Sequence, residues 1–236
     1  MLRSIRTYRL DRAHAAGLRR LYARLVRPGD LVFDVGAHVG DRVAAFRALG
    51  ARVVAVEPQP RLARLLRLEW RRDPAVTVVA CGVGAREGAA EMRLNSANPT
   101  VATFDAGFVA AAATRSGWRD QVWDGAARLP IRTLDALAAE HGAPAFMKID
   151  VEGWEAEALA GLSAPPPALS FEVTTVDRDA GVAALDRAAA LGFRAFRMSL
   201  GETHRFDGDW AGAAAMRRRI AALPDAANSA DVYCSL

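Results

Sequence analysis

Two cysteines, a single lysine and no long apolar run set the first limits on this 236-residue chain. Cys81 and Cys234 stand too far apart to suggest a disulfide framework or a zinc-ligand spacing, so a reducing compartment such as the cytoplasm is expected. Hydrophobic residues make up 52% of the chain, yet they fall in short blocks, and none approaches the roughly 20 consecutive apolar residues of a membrane-crossing helix. The chain therefore reads as soluble, with no membrane partner. Basic residues open the sequence, but charge continues at Arg9, Asp11 and Arg12, which leaves no room for the apolar core of about 7 to 15 residues of a secretory leader. Two nucleotide-binding signatures are missing as well: the dinucleotide fingerprint Gly-x-Gly-x-x-Gly and the phosphate loop Gly-x-x-x-x-Gly-Lys-Ser/Thr. A basic block is also absent. The pI is about 9.7, but the net charge is only +4 and basic residues are interspersed with 27 acidic ones, so a nucleic-acid partner is not expected.

What is present is a regular alternation of elements. Leu10, His14, Leu18, Leu21, Tyr22 and Leu25 recur at helical spacing up to Pro28-Gly29, which predicts a helical extension over residues 1–28 packed on the core. A domain over 29–236 follows. Residues 31–35 form an apolar run suited to a strand buried on both faces, with a glycine turn and a helix over 41–49 after it. The unit repeats as strand 52–56, helix 61–70 and strand 76–80. From 82 to about 130 the rhythm breaks into a hairpin near 88–95, a turn at Asn98-Pro99 and a short helix near 104–113. A loop-rich insertion of this kind can cover a site. Helices over 133–140, 155–162, 179–191 and about 210–223 then alternate with strands over 145–149, 169–173, 193–198 and 231–235. The pattern predicts a doubly wound, Rossmann-like α/β fold, with a mostly parallel seven-stranded sheet and helices on both faces.

Three segments carry chemistry. Asp34-Val35-Gly36-Ala37-His38-Val39-Gly40 follows a buried strand and opens a helix, where glycines let the backbone approach a ligand. Glu57 ends the next strand, at the height where a carboxylate can accept hydrogen bonds from both hydroxyls of a ribose. Together they point to a cofactor containing adenosine, and Asp34 adds an acid that suits a cationic amino-acid group better than a pyrophosphate. The third segment, Met147-Lys148-Ile149-Asp150-Val151-Glu152-Gly153-Trp154-Glu155, again joins a strand end to a helix. Lys148 is the only lysine among 31 basic residues, which suggests a position that needs a compact ammonium. Strand alternation places Lys148 and Asp150 on one face.

These segments, with Val56-Glu57-Pro58-Gln59-Pro60 and Arg132-Thr133-Leu134-Asp135 in the same order, resemble the FkbM-type methyltransferase family over about residues 30–175. The resemblance implies a class I methyltransferase fold, S-adenosylmethionine as cofactor, and O-methylation of a hydroxyl on a small molecule, sugar or secondary metabolite. It places the cofactor among Asp34, Gly36, Ala37, His38, Gly40, Glu57 and Pro58, and the transfer chemistry at Asp150 and Lys148. His38 stands where the family is expected to have asparagine; both residue types tolerate positive φ, so the turn can survive. Two alternatives stay open, an N-methyltransferase acting on nucleic acid or protein and a non-catalytic cofactor-binding module. Against the first, Asp150-Val151-Glu152-Gly153 stands where an Asn/Asp-Pro-Pro-aromatic turn is expected.

Weaker candidates are Glu172, which needs a partner if buried in its strand, and His204, a loop histidine able to serve as a general base. His14 and His141 read as helix-surface or capping residues. Trp118 and Trp123 are expected to pack the insertion down, with an apolar pocket lining as the alternative, and residues 95–103 lie where the resemblance implies a polar substrate loop, with a plain surface loop as the alternative. Asp150 and Glu172 alone do not define a cation site, so no metal is assigned. The sequence leaves the oligomeric state open, a homodimer included.

Overall fold

The computed structural model describes residues 11–115 and 117–236; the chain opening and Leu10 of the leading helix lie outside them. Helix α1 (Arg12–Tyr22) begins at Asp11, whose side chain accepts from the N–H groups of Ala13 and His14, an N-cap that satisfies donors the first turn leaves orphaned. The units that follow are β1 (Leu31–Val35), α2 (Asp41–Ala48), β2 (Arg52–Val56), α3 (Pro60–Trp70) and β3 (Val76–Val79). After the insertion come α5 (Leu134–His141), β7 (Phe146–Ile149), α6 (Glu155–Ala160), β8 (Ala168–Thr174), α7 (Arg178–Leu191), β9 (Ala195–Leu200), β10 (Phe206–Ala211), α8 (Ala213–Ala221) and β11 (Ser229–Ser235).

One eight-stranded sheet runs in the order β10-β9-β11-β8-β7-β1-β2-β3. The five strands β3, β2, β1, β7 and β8 pair in parallel, and β11, β9 and β10 close the far end antiparallel. The sheet thus has the expected mostly parallel character with one strand more than expected. The extra strand is β10, and it takes Trp210 out of the helix predicted from about residue 210. Helices cover both faces. Leu134, Leu159, Leu185 and Ile220 of α5 to α8 pack with Phe33, Val54 and Phe171, while Leu18, Phe46 and Leu66 of α1 to α3 pack with Val32, Val53 and Phe146. No helix among the described residues is long and apolar enough to cross a membrane.

The insertion is less loop-like than its composition suggests. Residues 88–95 do not form a local hairpin: β5 (Gly88–Leu94) pairs antiparallel with β6 (Gly125–Arg132), some thirty residues on. Together with β4 (Gly82–Val83) these strands make a second sheet of three strands in the order β4-β6-β5. Between β5 and β6 lie the polar loop and α4 (Ala106–Thr114). Phe108 of α4 is fully buried and meets the rings of Trp118 and Trp123 edge-on, at 5.6 and 6.3 Å between centroids. Both tryptophans therefore do pack the insertion down.

Candidate functional site

Strand order reverses at β1, which has β2 on one side and β7 on the other. Parallel sheets open a crevice beyond the carboxyl ends of their strands at such a point. Here the loops after β1 and β7 touch directly. Gly36 has φ +85°, and a Cβ on it would collide with the backbone oxygen of Asp150, so only glycine fits. A cavity of about 480 Å³ opens at this junction, within the range of small-molecule sites. Gly36, His38, Glu57 and Pro58 line it from one side, and Asp150, Glu152 and Glu172 from the other.

The first side is built from backbone. Ala37 and Gly36 both donate to the Val56 carbonyl, at 3.0 and 2.9 Å, and His38 takes φ +48°, the left-handed conformation that the turn requires of it. This orients the His38 N–H to donate to Glu57 Oε2 at 2.8 Å, while the Gln59 N–H donates to Oε1 at 2.8 Å. Glu57 is buried. Each of its oxygens keeps a further lone pair, the acceptor capacity that the two hydroxyls of a ribose need. Burial pushes its carboxyl up to about 7, against the lowering effect of the two N–H donors. The insertion closes over this edge: Gln59 Nε2 donates to the Pro99 carbonyl at 2.9 Å, and Thr100 Oγ1 lies 3.4 Å from His38 Nε2. Residues 95–103 are therefore part of the cavity wall, with Asn98, Pro99 and Thr100 on its lining.

Three expected cofactor residues lie behind the surface. Asp34 shares register with Lys148 and Ala55, which turns its side chain to the α1–α2 face, where it is buried with no hydrogen-bond partner among the described residues. Burial raises its carboxyl to about 7, with Asp41 and Asp150 adding to the rise against Arg42 and Lys148. Ala37 packs into the apolar cluster below the turn. Gly40 starts α2, and a Cβ there would meet Leu66 Cδ2 at 2.7 Å, so this glycine serves helix packing on α3.

The second side is built from charged side chains. Lys148 and Asp150 do share a face. Lys148 is wholly buried, and its Nζ donates to Asp150 Oδ2 at 2.8 Å and meets Asp231 Oδ1 at 3.1 Å. Burial alone would lower the ammonium, but the two carboxylates prevail and raise it, so Lys148 stays charged. Lys148 lies beneath the cavity and presents Asp150 to it. Burial alone would likewise raise Asp150, yet Lys148 and Arg42 hold it well below the usual carboxylate range. Glu152 and Glu172 go the other way: burial and the nearby Asp150 charge lift both well above theirs. Oxygens of these three carboxyls lie within 4.8 Å of one another. The turn itself is fixed by the Val151 N–H donating to Glu155 Oε1 at 2.9 Å and by Thr103 Oγ1 donating to the Glu152 carbonyl at 2.7 Å. The latter bond clips the insertion to the site.

Arg42 and Asp231 are the functional residues that the sequence reading missed. A charged residue between the apolar Ala230 and Val232 of β11, directly in register with Glu172, is the signal that could have found Asp231. Arg42 carries no comparable local signal.

A glycine turn, a buried carboxylate and a cluster of carboxyl groups at the ends of β1, β2 and β7 of a doubly wound sheet are the arrangement expected of a class I, S-adenosylmethionine-dependent methyltransferase. The model of the Methyltransferase FkbM domain matches residues 34–221. The chain belongs to that family. No curated protein matches the sequence. Among solved structures it is similar to a precorrin-6y C5,15-methyltransferase from Geobacter metallireducens (13% identity, 94% of this chain and 86% of that one, TM-score 0.44). It is also similar to a TehB-like SAM-dependent methyltransferase from Corynebacterium glutamicum (11%, 93% and 86%, 0.47) and to a SAM-dependent O-methyltransferase from Thermotoga maritima (12%, 95% and 64%, 0.46). These likenesses are too weak to bear on what the chain acts on.

Proposed function

We propose that this methyltransferase transfers its methyl group to a hydroxyl oxygen of a small, hydroxyl-rich acceptor such as a sugar or secondary metabolite, and not to nucleic acid. The observation that carries this reading is the Lys148–Asp150 pair, which sets an ion-paired carboxylate on the cavity wall beside Glu152 and Glu172. Glu57 and the turn from Gly36 to His38 would hold S-adenosylmethionine, which when bound supplies a sulfonium methyl for in-line displacement by the acceptor oxygen. Asp150 accepts the hydrogen bond of the acceptor hydroxyl and so aims an oxygen lone pair. It is a weak base, and that suffices: the oxygen gains positive charge as it is methylated, its proton becomes strongly acidic, and the carboxylate takes it late. Lys148 is a positioning residue in this scheme. Glu152 and Glu172, which burial and the Asp150 charge shift toward the protonated form, would offer both donors and acceptors to neighbouring hydroxyls.

The test is incubation of the purified protein with methyl-labelled cofactor and, in parallel, a panel of hydroxylated sugars and metabolites, tRNA and DNA. Label in a methyl ether is the expected result. Methylated RNA or a methylated amine as the main product would overturn the assignment.

A further inference from the structure

Outside the cavity, two of the four histidines meet where neither is needed for cofactor or acceptor. His14 lies in the first turn of α1, and Glu202 and His204 occupy the short turn joining β9 to β10. His14 Nδ1 and His204 Nε2 are 3.0 Å apart, and Glu202 Oε2 is 3.6 Å from each. We infer that His14, His204 and Glu202 form a binding site for a divalent cation of the zinc class.

The geometry is specific. The point equidistant from the corners of a triangle with sides 3.0, 3.6 and 3.6 Å lies about 2.0 Å from each, and Zn–N and Zn–O bonds run to about 2.0–2.2 Å. Two imidazoles and one carboxylate are also a donor set that zinc favours. A histidine pair held only by its own hydrogen bond would explain the N···N distance, but not a carboxylate oxygen equidistant from both nitrogens.

Support behind these ligands follows the pattern of known metal sites, in which a ligating histidine donates its other ring N–H to a carboxylate. His14 Nε2 lies 2.8 Å from Asp41 Oδ2. With Asp41 against Nε2, it is Nδ1 of His14 that faces His204 and Glu202. Arg42 Nη2 lies 3.7 Å from the other oxygen of the glutamate, Oε1, so Oε2 is the oxygen turned to the histidines. Asp41 and Glu202 set two negative charges against the single positive charge of Arg42, a balance that favours a cation.

The backbone makes two concessions to this cluster. His204 is held at φ +51°, and Gly17 sits in the middle of α1, where a Cβ would meet His204 Cδ2 at 2.6 Å. Both imidazoles are nearly buried, whereas Glu202 is half exposed and borders the cavity. An ion would thus have a path in and a coordination position open to water, and would tie α1 to the turn after β9.

The site is tested on the tag-free full chain, stripped with EDTA and titrated with Zn²⁺ against a chromophoric chelator. One equivalent should bind, Co²⁺ should give the visible absorption of a tetrahedral site, and Zn²⁺ should raise the melting temperature. His14→Gln and His204→Asn, the latter chosen because asparagine tolerates positive φ, should each loosen binding by about 100-fold or more and abolish the Zn²⁺-dependent rise. Asp41→Asn should loosen it by about 10- to 100-fold, and Glu172→Gln should leave it unchanged. Circular dichroism of each variant separates lost ligands from lost fold. Absence of stoichiometric Zn²⁺ in the wild-type chain, unchanged affinity in folded histidine variants, or a loss confined to Glu172→Gln would overturn the inference.

Discussion

The two sides of the cavity are made in different ways. On the side proposed for the cofactor, Glu57 is held by the backbone N–H groups of His38 and Gln59, all within one strand-turn-helix unit and its neighbour. On the side proposed for the acceptor, Asp150 is held by Lys148 below it and by Arg42 at 3.9 Å, and Lys148 is shared with Asp231 from the last strand of the sheet. Backbone donors are neutral and fixed by the turn, so the first side tolerates change around it. The second is a buried charge array in which each member depends on the others, and removal of one partner leaves an uncompensated charge.

The largest effect expected from this contrast is on turnover. Asp150→Asn keeps the shape of the wall but removes the charge, and should lower kcat by about 10² to 10⁴, the range of positioned acid-base groups. Single-turnover measurement on labelled product checks it, and a fully active variant would leave Asp150 as no more than part of the turn after β7. Next in size is Lys148→Met, which strands Asp150 and Asp231 in the sheet and should cost about 3 to 5 kcal/mol of stability in urea denaturation. A loss below about 1 kcal/mol would mean that the array is solvated and the contrast false.

Asp34 sharpens the comparison from beneath. Its carboxyl lies at about 7 in the folded chain against an ordinary value of 3.8. Its contribution to stability is therefore complete below pH 3.8 and lost as pH rises through 7. Asp34→Asn should match the wild type near pH 4 and exceed it at pH 8 by on the order of 2 kcal/mol, seen as a melting-temperature difference that grows with pH. A pH-independent difference would show that Asp34 is paired. The smallest effect is expected at the insertion: Thr100→Ala removes the 3.4 Å contact to His38 and should weaken cofactor affinity by no more than about fivefold, since the net contribution of a hydrogen bond is about 1 kcal/mol.

The same division explains what could be read from the sequence. Strands 31–35 and 52–56 have their expected bounds because each is an unbroken apolar run with turn residues beside it. Glu57 and Asp150 stand out because they end such runs. The hairpin expected at 88–95 failed because β5 finds its partner beyond thirty residues of insertion, in β6, where Pro130 argues locally against a strand. Asp207, Gly208 and Asp209 likewise hide β10, an edge strand whose pairing to β9 shifts register along its length. His14 was expected at a helix surface or cap; Asp41 on α2 and His204 from the β9–β10 turn bury it. Arg42, Asp231 and the histidine pair acquire partners only when segments far apart in the chain close on one another, and periodicity carries no trace of that. Asp34 was expected beside the cofactor, but its side chain faces the helices, and it is the next residue, Val35, that reaches the cavity wall.

The most direct test of the division of labour is the affinity for S-adenosylhomocysteine, measured by calorimetry at pH 8 on wild type, Glu57→Ala and Asp150→Asn in parallel. Loss of the ribose acceptor should cost about 1.5 to 3 kcal/mol, the scale of hydrogen bonds to a charged group, which is roughly 10- to 150-fold in Kd. Asp150→Asn should remain within about threefold of wild type on the same scale. An unchanged Kd in Glu57→Ala, or an equal loss in both variants, would contradict the account.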